Sequence, residues 1–154
     1  TGNSTTNWLS LDDADPYGAG SYMTLNPTTL ELPQTGAFWS QGNSQVAYCF
    51  HSVTGHSSIG QYTGSGASGK TVTTGFEPSW VMIKNVTTTG LSWAIADNQR
   101  STSNPRNLFI WADVNNAEYT QTNGLNFNST GFEVLNATNW LNKSGDTLIY
   151  MAFK

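Results

Sequence analysis

Cys49 and His51 lie two residues apart, so on an extended strand their side chains share one side, and a thiol beside an imidazole is the minimum for cysteine nucleophilic chemistry. The chain has one other histidine, His56, and neither histidine sits in a nucleophile elbow or a comparable motif. The expectation is a small buried thiol beside a strand-end histidine. Cys49, His51 and His56 supply no fourth ligand at a known spacing, so no structural zinc is expected. Asp12, Asp13 and Asp15 ahead of Pro16 put three carboxylates at one turn, which makes them the weak candidate for an oxygen-ligated cation such as calcium. The EF-hand spacing and its distal glutamate are missing, and a solvated turn is the simpler reading. Glycoside hydrolysis needs two opposed carboxyls, and Glu31, Glu77, Glu118 and Glu133 are too scattered to select a pair. The residues thus point to no enzyme, no catalytic residue and no cofactor.

Aromatic residues are the more suggestive group. Six tryptophans and six tyrosines in 154 residues exceed what a small core uses. An exposed ring can stack on the apolar face of a sugar while Asn, Asp and Arg take its hydroxyls. Trp8 and Trp93 recur at matched positions of an internal repeat described below and read as framework, and Trp80 sits in the buried-looking run SWVMIKN. Trp39, Trp111 and Trp140 remain as candidate ligand-binding rings, with Asn98, Arg100 and Arg106 as the polar candidates. Packing at the ends of the fold, or against a neighbouring subunit, is the competing use of each ring. Asp97 and Arg100, three apart after a strand, can form an ion pair, and a structural pair would remove Arg100 from ligand binding.

The elements that must position these residues are strands. Helical periodicity is nearly absent, and short apolar runs bounded by Gly, Asn, Pro and Thr recur along the chain. Two stretches, Gln41 to His51 and Ser144 to Lys154, align without a gap at an offset of 103, and a second register at an offset of 85 pairs Trp8 with Trp93, Asp12 with Asp97 and Leu25 with Ile110. The chain therefore reads as an internal duplication. Its expected parts are a partial first unit over 1–53, a Gly-rich connection over 54–78 and a second unit over 79–154, together one compact domain. In Val46 to His51, with Val46, Tyr48 and Phe50 on one face and Ala47, Cys49 and His51 on the other, both faces are largely apolar, which predicts a central strand. The apolar run over 79–85 has no counterpart ahead of the first copy, which predicts a chain cut from a longer polypeptide. The second copy also carries 18 extra residues between its anchors, within a polar segment from Ala112 to Lys143. Variable loops of this kind are where binding specificity resides. The expected fold is all-β, an antiparallel, jelly-roll-like β-sandwich.

Only 10% of the residues are charged and the net charge is -4, with two arginines, so the dense basic surface that nucleic acid requires is missing. No stretch approaches the ~18 consecutive apolar residues of a membrane span. Cys49, the one cysteine, cannot form an internal disulfide.

Three runs taken together carry a resemblance: Val46–Val53 (VAYCFHSV), Gly60–Gly64 (GQYTG) and Gly75–Lys84 (GFEPSWVMIK), continued by Trp93–Asp97, Gly131–Phe132 and Tyr150–Phe153. These are similar to an uncharacterised β-rich module of tail fibres and other structural proteins of tailed bacteriophages. The resemblance implies a virion-surface location, a homo-oligomer (a trimer), contact with other virion proteins, and recognition of host-surface polysaccharide. It brings no catalytic residues. A capsid or tail decoration domain that binds no receptor, and a carbohydrate-active appendage, are the alternatives.

Overall fold

In Thr147–Phe153 the side chains of Leu148, Tyr150 and Ala152 are buried and those between them half-buried, the period-two burial of a strand with one face on a core. The computed structural model describes residues 46–154 and, ahead of them, residues 7–9, 11, 14–15, 18–19, 24–25, 29–31 and 44. The chain divides into two compact units, one of Thr1–Leu9 and Tyr17–Cys49, the other of Ser10–Pro16 and Phe50–Lys154. The first unit's described strands are two antiparallel pairs, β1 (Asn7–Trp8) with β2 (Gly18–Ala19), and β3 (Thr24–Leu25) with β4 (Leu30–Glu31).

The second unit holds β5 (Ser57–Thr63), β6 (Lys70–Thr73), β7 (Trp80–Asn85), β8 (Ala94–Asp97), β9 (Arg106–Trp111), β10 (Tyr119–Asn128), β11 (Gly131–Val134), a single helical turn α1 (Asn139–Asn142), and β12 (Thr147–Phe153). All eight strands pair antiparallel in the order β5-β12-β7-β8-β9-β10-β11-β6. The all-β, antiparallel expectation holds, and the strands run as one hydrogen-bonded series. That series curls until it nearly closes: the Phe132 ring on β11 lies 6.2 Å from Tyr62 on β5 and 5.5 Å from Tyr150 on β12. The Gly-rich connection, read from sequence as a loop around one short strand at Ile59 to Tyr62, holds two strands, the longer β5 and β6.

The concave face carries the core, with Val81, Ile83, Phe109, Phe127, Phe132 and Leu148 essentially inaccessible. Each such side chain contributes about 1.5–3 kcal/mol. The opposite face of β5, β12, β7, β8 and β9 carries a row in register, Ile59–Met151–Met82–Ile95–Ile110, of which each member is only partly covered or exposed.

One turn of helix plugs the curl. Leu141 enters the core, and its carbonyl accepts the Tyr62 hydroxyl at 2.6 Å; burial pushes the Tyr62 phenol far above its ordinary range. Asn142, fully buried, accepts from the Ser65 N–H at 2.7 Å and donates to the carbonyls of Ala67 (2.6 Å) and Asn136 (3.1 Å). Gly64 abuts this turn so closely that a Cβ would overlap the Lys143 carbonyl. Beside it, Asp146 accepts from Asn85 Nδ2 (2.9 Å) and the Thr88 hydroxyl (2.6 Å), with Lys143 Nζ at 3.5 Å. Burial works to raise the Asp146 carboxyl, but these donors and the Lys143 charge outweigh it and hold the carboxyl below the usual carboxylate range.

Val46–Phe50 is not the central strand its pattern predicts. Val46, Tyr48 and Phe50 are 77%, 83% and 60% exposed, and Cys49 is exposed, not a buried hydrophobe. Its sequence twin β12 is a strand because β5 and β7 bond both of its edges. Among the described residues no strand runs beside Val46–Phe50, and a two-faced apolar pattern without such partners has nothing to pair with. The last residue, Phe50, and the segment that follows do meet the sheet: the Phe50 ring lies 6.0 Å from Phe153 on β12, the Ser52 hydroxyl accepts the Ile59 N–H at 2.9 Å, and Val53 bridges to Ser57.

Candidate functional site

The structure brings Trp111 and Trp140 together. Trp111 ends β9, Trp140 lies on α1, and their ring centroids are 5.1 Å apart with planes at 75°. Tyr119, at the start of β10 and in register with Phe109, completes the cluster at 6.0 Å from Trp111 and 6.3 Å from Trp140. Phe109 sits beneath, edge-on to Trp140 at 4.9 Å and itself buried, so the core fixes the Trp140 ring. Both indoles are half-buried and Tyr119 is 46% exposed. Nothing in the spacing of Trp111 and Tyr119 announces this partnership, because it depends on how the β9–β10 connection folds back.

The three rings open on a cleft of about 330 Å³ whose other walls are Gly90, Leu91, Ser92 and Asn116. None of these lining residues is ionisable at neutral pH, and the Asn116 carboxamide and Ser92 hydroxyl make no hydrogen bond among the described residues. One wall is rigid: the Leu91 carbonyl accepts the buried Lys84 ammonium at 2.6 Å. Just behind, Asp113 Oδ1 accepts the Trp93 N–H at 3.0 Å. Flat apolar rings with neutral donors and acceptors at their rim suit a ligand that presents both C–H faces and hydroxyls.

Asn98 and Arg100 lie elsewhere, in a broader depression of about 550 Å³ with Ser79, Trp80, Ile95, Asp97, Gln99 and Ile110. Most of its polar rim is occupied with itself, though Arg100 Nη1 is buried with no hydrogen-bond partner among the described residues. Asp97 Oδ1 accepts the N–H groups of Gln99 (2.9 Å) and Arg100 (2.8 Å), and Oδ2 accepts Arg100 Nε at 2.7 Å and pairs with Nη2. Partial burial acts to raise the Asp97 carboxyl, and these donors overcome it, leaving the group below its ordinary range. Asn98 donates to the Ser79 hydroxyl at 3.2 Å and accepts from Gln99 at 2.8 Å. The Asp97–Arg100 pair is structural, so Arg100 holds its own turn.

Arg106 is 7% exposed; its Nη1 donates to the Ser101 carbonyl at 2.6 Å, and its guanidinium lies 5.2 Å from the Phe127 ring centroid. It is a core cation over an aromatic face, with no access to a ligand. Trp39, Asp12 and Asp13 lie outside the described residues, and Asp15 is exposed. Among the described residues no group of three His, Cys, Asp or Glu side chains could hold a metal ion, and no helix is long and apolar enough to cross a membrane.

A family model described as a domain of unknown function (DUF7483) matches residues 2–154. No curated protein and no solved structure matches the chain.

Proposed function

Because the chain belongs to this family of unknown function, its role is read from its own surface, and we propose that the second unit is a non-catalytic module that recognises a neutral glycan at the Trp111–Tyr119–Trp140 cleft. The observation that carries the reading is the convergence of three rings on one opening beside the uncommitted Ser92 and Asn116 side chains. A cleft of this size takes one or two sugar residues, so a single site is weak, and several copies on one particle raise avidity through effective concentration. The bacteriophage setting, a trimeric tail-fibre or surface-appendage domain facing host polysaccharide, rests on the sequence resemblance. The duplicated, jelly-roll-like sandwich stays a proposal for the whole chain and rests on the correspondence between its two repeats.

Screening the purified protein against a glycan array, beside its Tyr119→Ala variant, tests the reading. Binding of a neutral glycan that Tyr119→Ala loses supports it; an array on which the folded protein binds nothing removes it. Release of reducing ends from the bound polysaccharide would instead establish a carbohydrate-active appendage.

A decoration or assembly role is the second reading, and one feature favours it. The incompletely covered row Ile59–Met151–Met82–Ile95–Ile110 is an apolar stripe of the kind that subunit contacts use.

A further inference from the structure

Strand β10 gains extra residues against β9: Thr120 pairs with Leu108, but Leu125 pairs with Arg106. The bulge so formed dictates two residue types in a row. Asn123 has φ 56°, a left-handed conformation that asparagine tolerates better than most residues. At Gly124 a Cβ would overlap the Arg106 carbonyl oxygen and crowd the Phe109 ring, so only glycine fits. The fold thereby installs the chain's single Asn-Gly pair. This dipeptide cyclises readily, because glycine leaves its own N–H unhindered.

Asn123 is exposed; its backbone carbonyl accepts from Asn136 Nδ2 at 2.7 Å, and its carboxamide makes no hydrogen bond among the described residues. Gly124 is the opposite. It is buried, its N–H donates to Asn107 Oδ1 at 2.9 Å, and its carbonyl accepts the Leu135 N–H at 3.0 Å. The electrophile is thus free and the nucleophile is tied.

We propose that Asn123–Gly124 is a latent site of succinimide-mediated deamidation, and that Asn107 keeps it latent while the sheet is closed. In the reaction the deprotonated Gly124 nitrogen attacks Asn123 Cγ, and the tetrahedral adduct expels the carboxamide nitrogen as ammonia, leaving a five-membered succinimide. Water then opens either carbonyl, giving aspartate or isoaspartate at position 123. No oxidant or cofactor takes part. The attack requires the Gly124 N–H to leave the Asn107 side chain, which is a local opening of the bulge rather than of the backbone ladder. Isoaspartate adds a backbone carbon to the bulge and displaces the carbonyl that holds Asn136. Asn136 in turn holds the Thr138 N–H at 3.0 Å and Asn142 Nδ2 at 3.1 Å, so the lesion loosens the turn that carries Trp140.

The test is incubation of the full chain at mildly alkaline pH, with the replacement of NH₂ by OH located by peptide mass mapping. The native protein is expected to react at Asn123 at least about tenfold more slowly than the same chain unfolded in guanidinium. Folded Asn107→Ala should react about tenfold faster than native, the change in open population expected from losing one buried hydrogen bond. Asn107→Asp, which keeps an acceptor at Oδ1, should stay near the native rate. Equal native and unfolded rates, a native-like rate in folded Asn107→Ala, or first reaction at another asparagine would overturn the proposal. If Asn107→Ala does not fold, the native-against-unfolded comparison decides, and a fast Asn107→Asp would also refute the guard.

Discussion

Replacing Asn142 by alanine should remove the strut between α1 and the β5–β6 connection, and the size of the loss can be worked from its contacts. The side chain is fully buried, and its bonds to backbone groups are from the Ser65 N–H (2.7 Å) and to the carbonyls of Ala67 (2.6 Å) and Asn136 (3.1 Å). Three net hydrogen bonds at about 1 kcal/mol each, plus part of the desolvation cost of the backbone groups left without partners, give a destabilisation of about 3–5 kcal/mol. That is a large share of the 5–15 kcal/mol roughly typical of a domain. For a domain of this size it corresponds to a fall in Tm on the order of 10 °C. Urea unfolding followed by tryptophan fluorescence is the assay, with an unchanged slope and a lowered midpoint expected. Asn142→Asp should be no better than alanine, because it loses both donors and buries a charge. A loss below about 1 kcal/mol for Asn142→Ala would refute the role assigned to this residue.

Acid should weaken the fold: Asp146 and Asp97 have carboxyls held below their unfolded values, so their stabilisation is complete above about pH 4 and is lost as the pH falls through their folded values. Midpoints measured from pH 7 down to 2 should decline in that lower range, and Asp146→Asn should flatten the decline. Gly64→Ala should cost about 2 kcal/mol or more, since its Cβ meets the Lys143 backbone rather than a flexible side chain; a wild-type midpoint would show that the loop yields freely. Cys49, exposed, should react with a thiol reagent in native buffer about as fast as in denaturant, and protection from the reagent would contradict its placement.

Strands were legible wherever apolar residues recur on one face. The run over 79–85 became β7, and the repeat copy from Ser144 to Lys154 contains β12. β10 and β6 were not legible. The first half of β10, Tyr119–Asn123, is mostly exposed and polar, and β6 has Val72 as its single apolar side chain. Polar strands of this kind form because neighbours bond their edges, which no periodicity records. The same dependence on partners explains the opposite error at Val46–Phe50, where a strand pattern lacks a described neighbour. At the site, Trp111 and Trp140 could be singled out by elimination from the repeated Trp8 and Trp93 and from Trp80, whose apolar run looks buried although its ring is only half-buried. Tyr119 could not, since only the fold sets it beside them. Arg106 reads from sequence as an accessible cation, and its burial over Phe127 depends on contacts more than twenty residues apart.

Glycan recognition at the aromatic cleft is tested most directly by a tryptophan-fluorescence titration of the wild-type protein and Tyr119→Ala with one neutral oligosaccharide selected on the array. Tyr119 is the most exposed of the three rings, so its removal should leave the unfolding midpoint near wild type. A saturable fluorescence change in wild type, weakened about tenfold in the variant as expected for losing one stacking ring, is the result the geometry predicts. Equal affinity in the folded variant would contradict it.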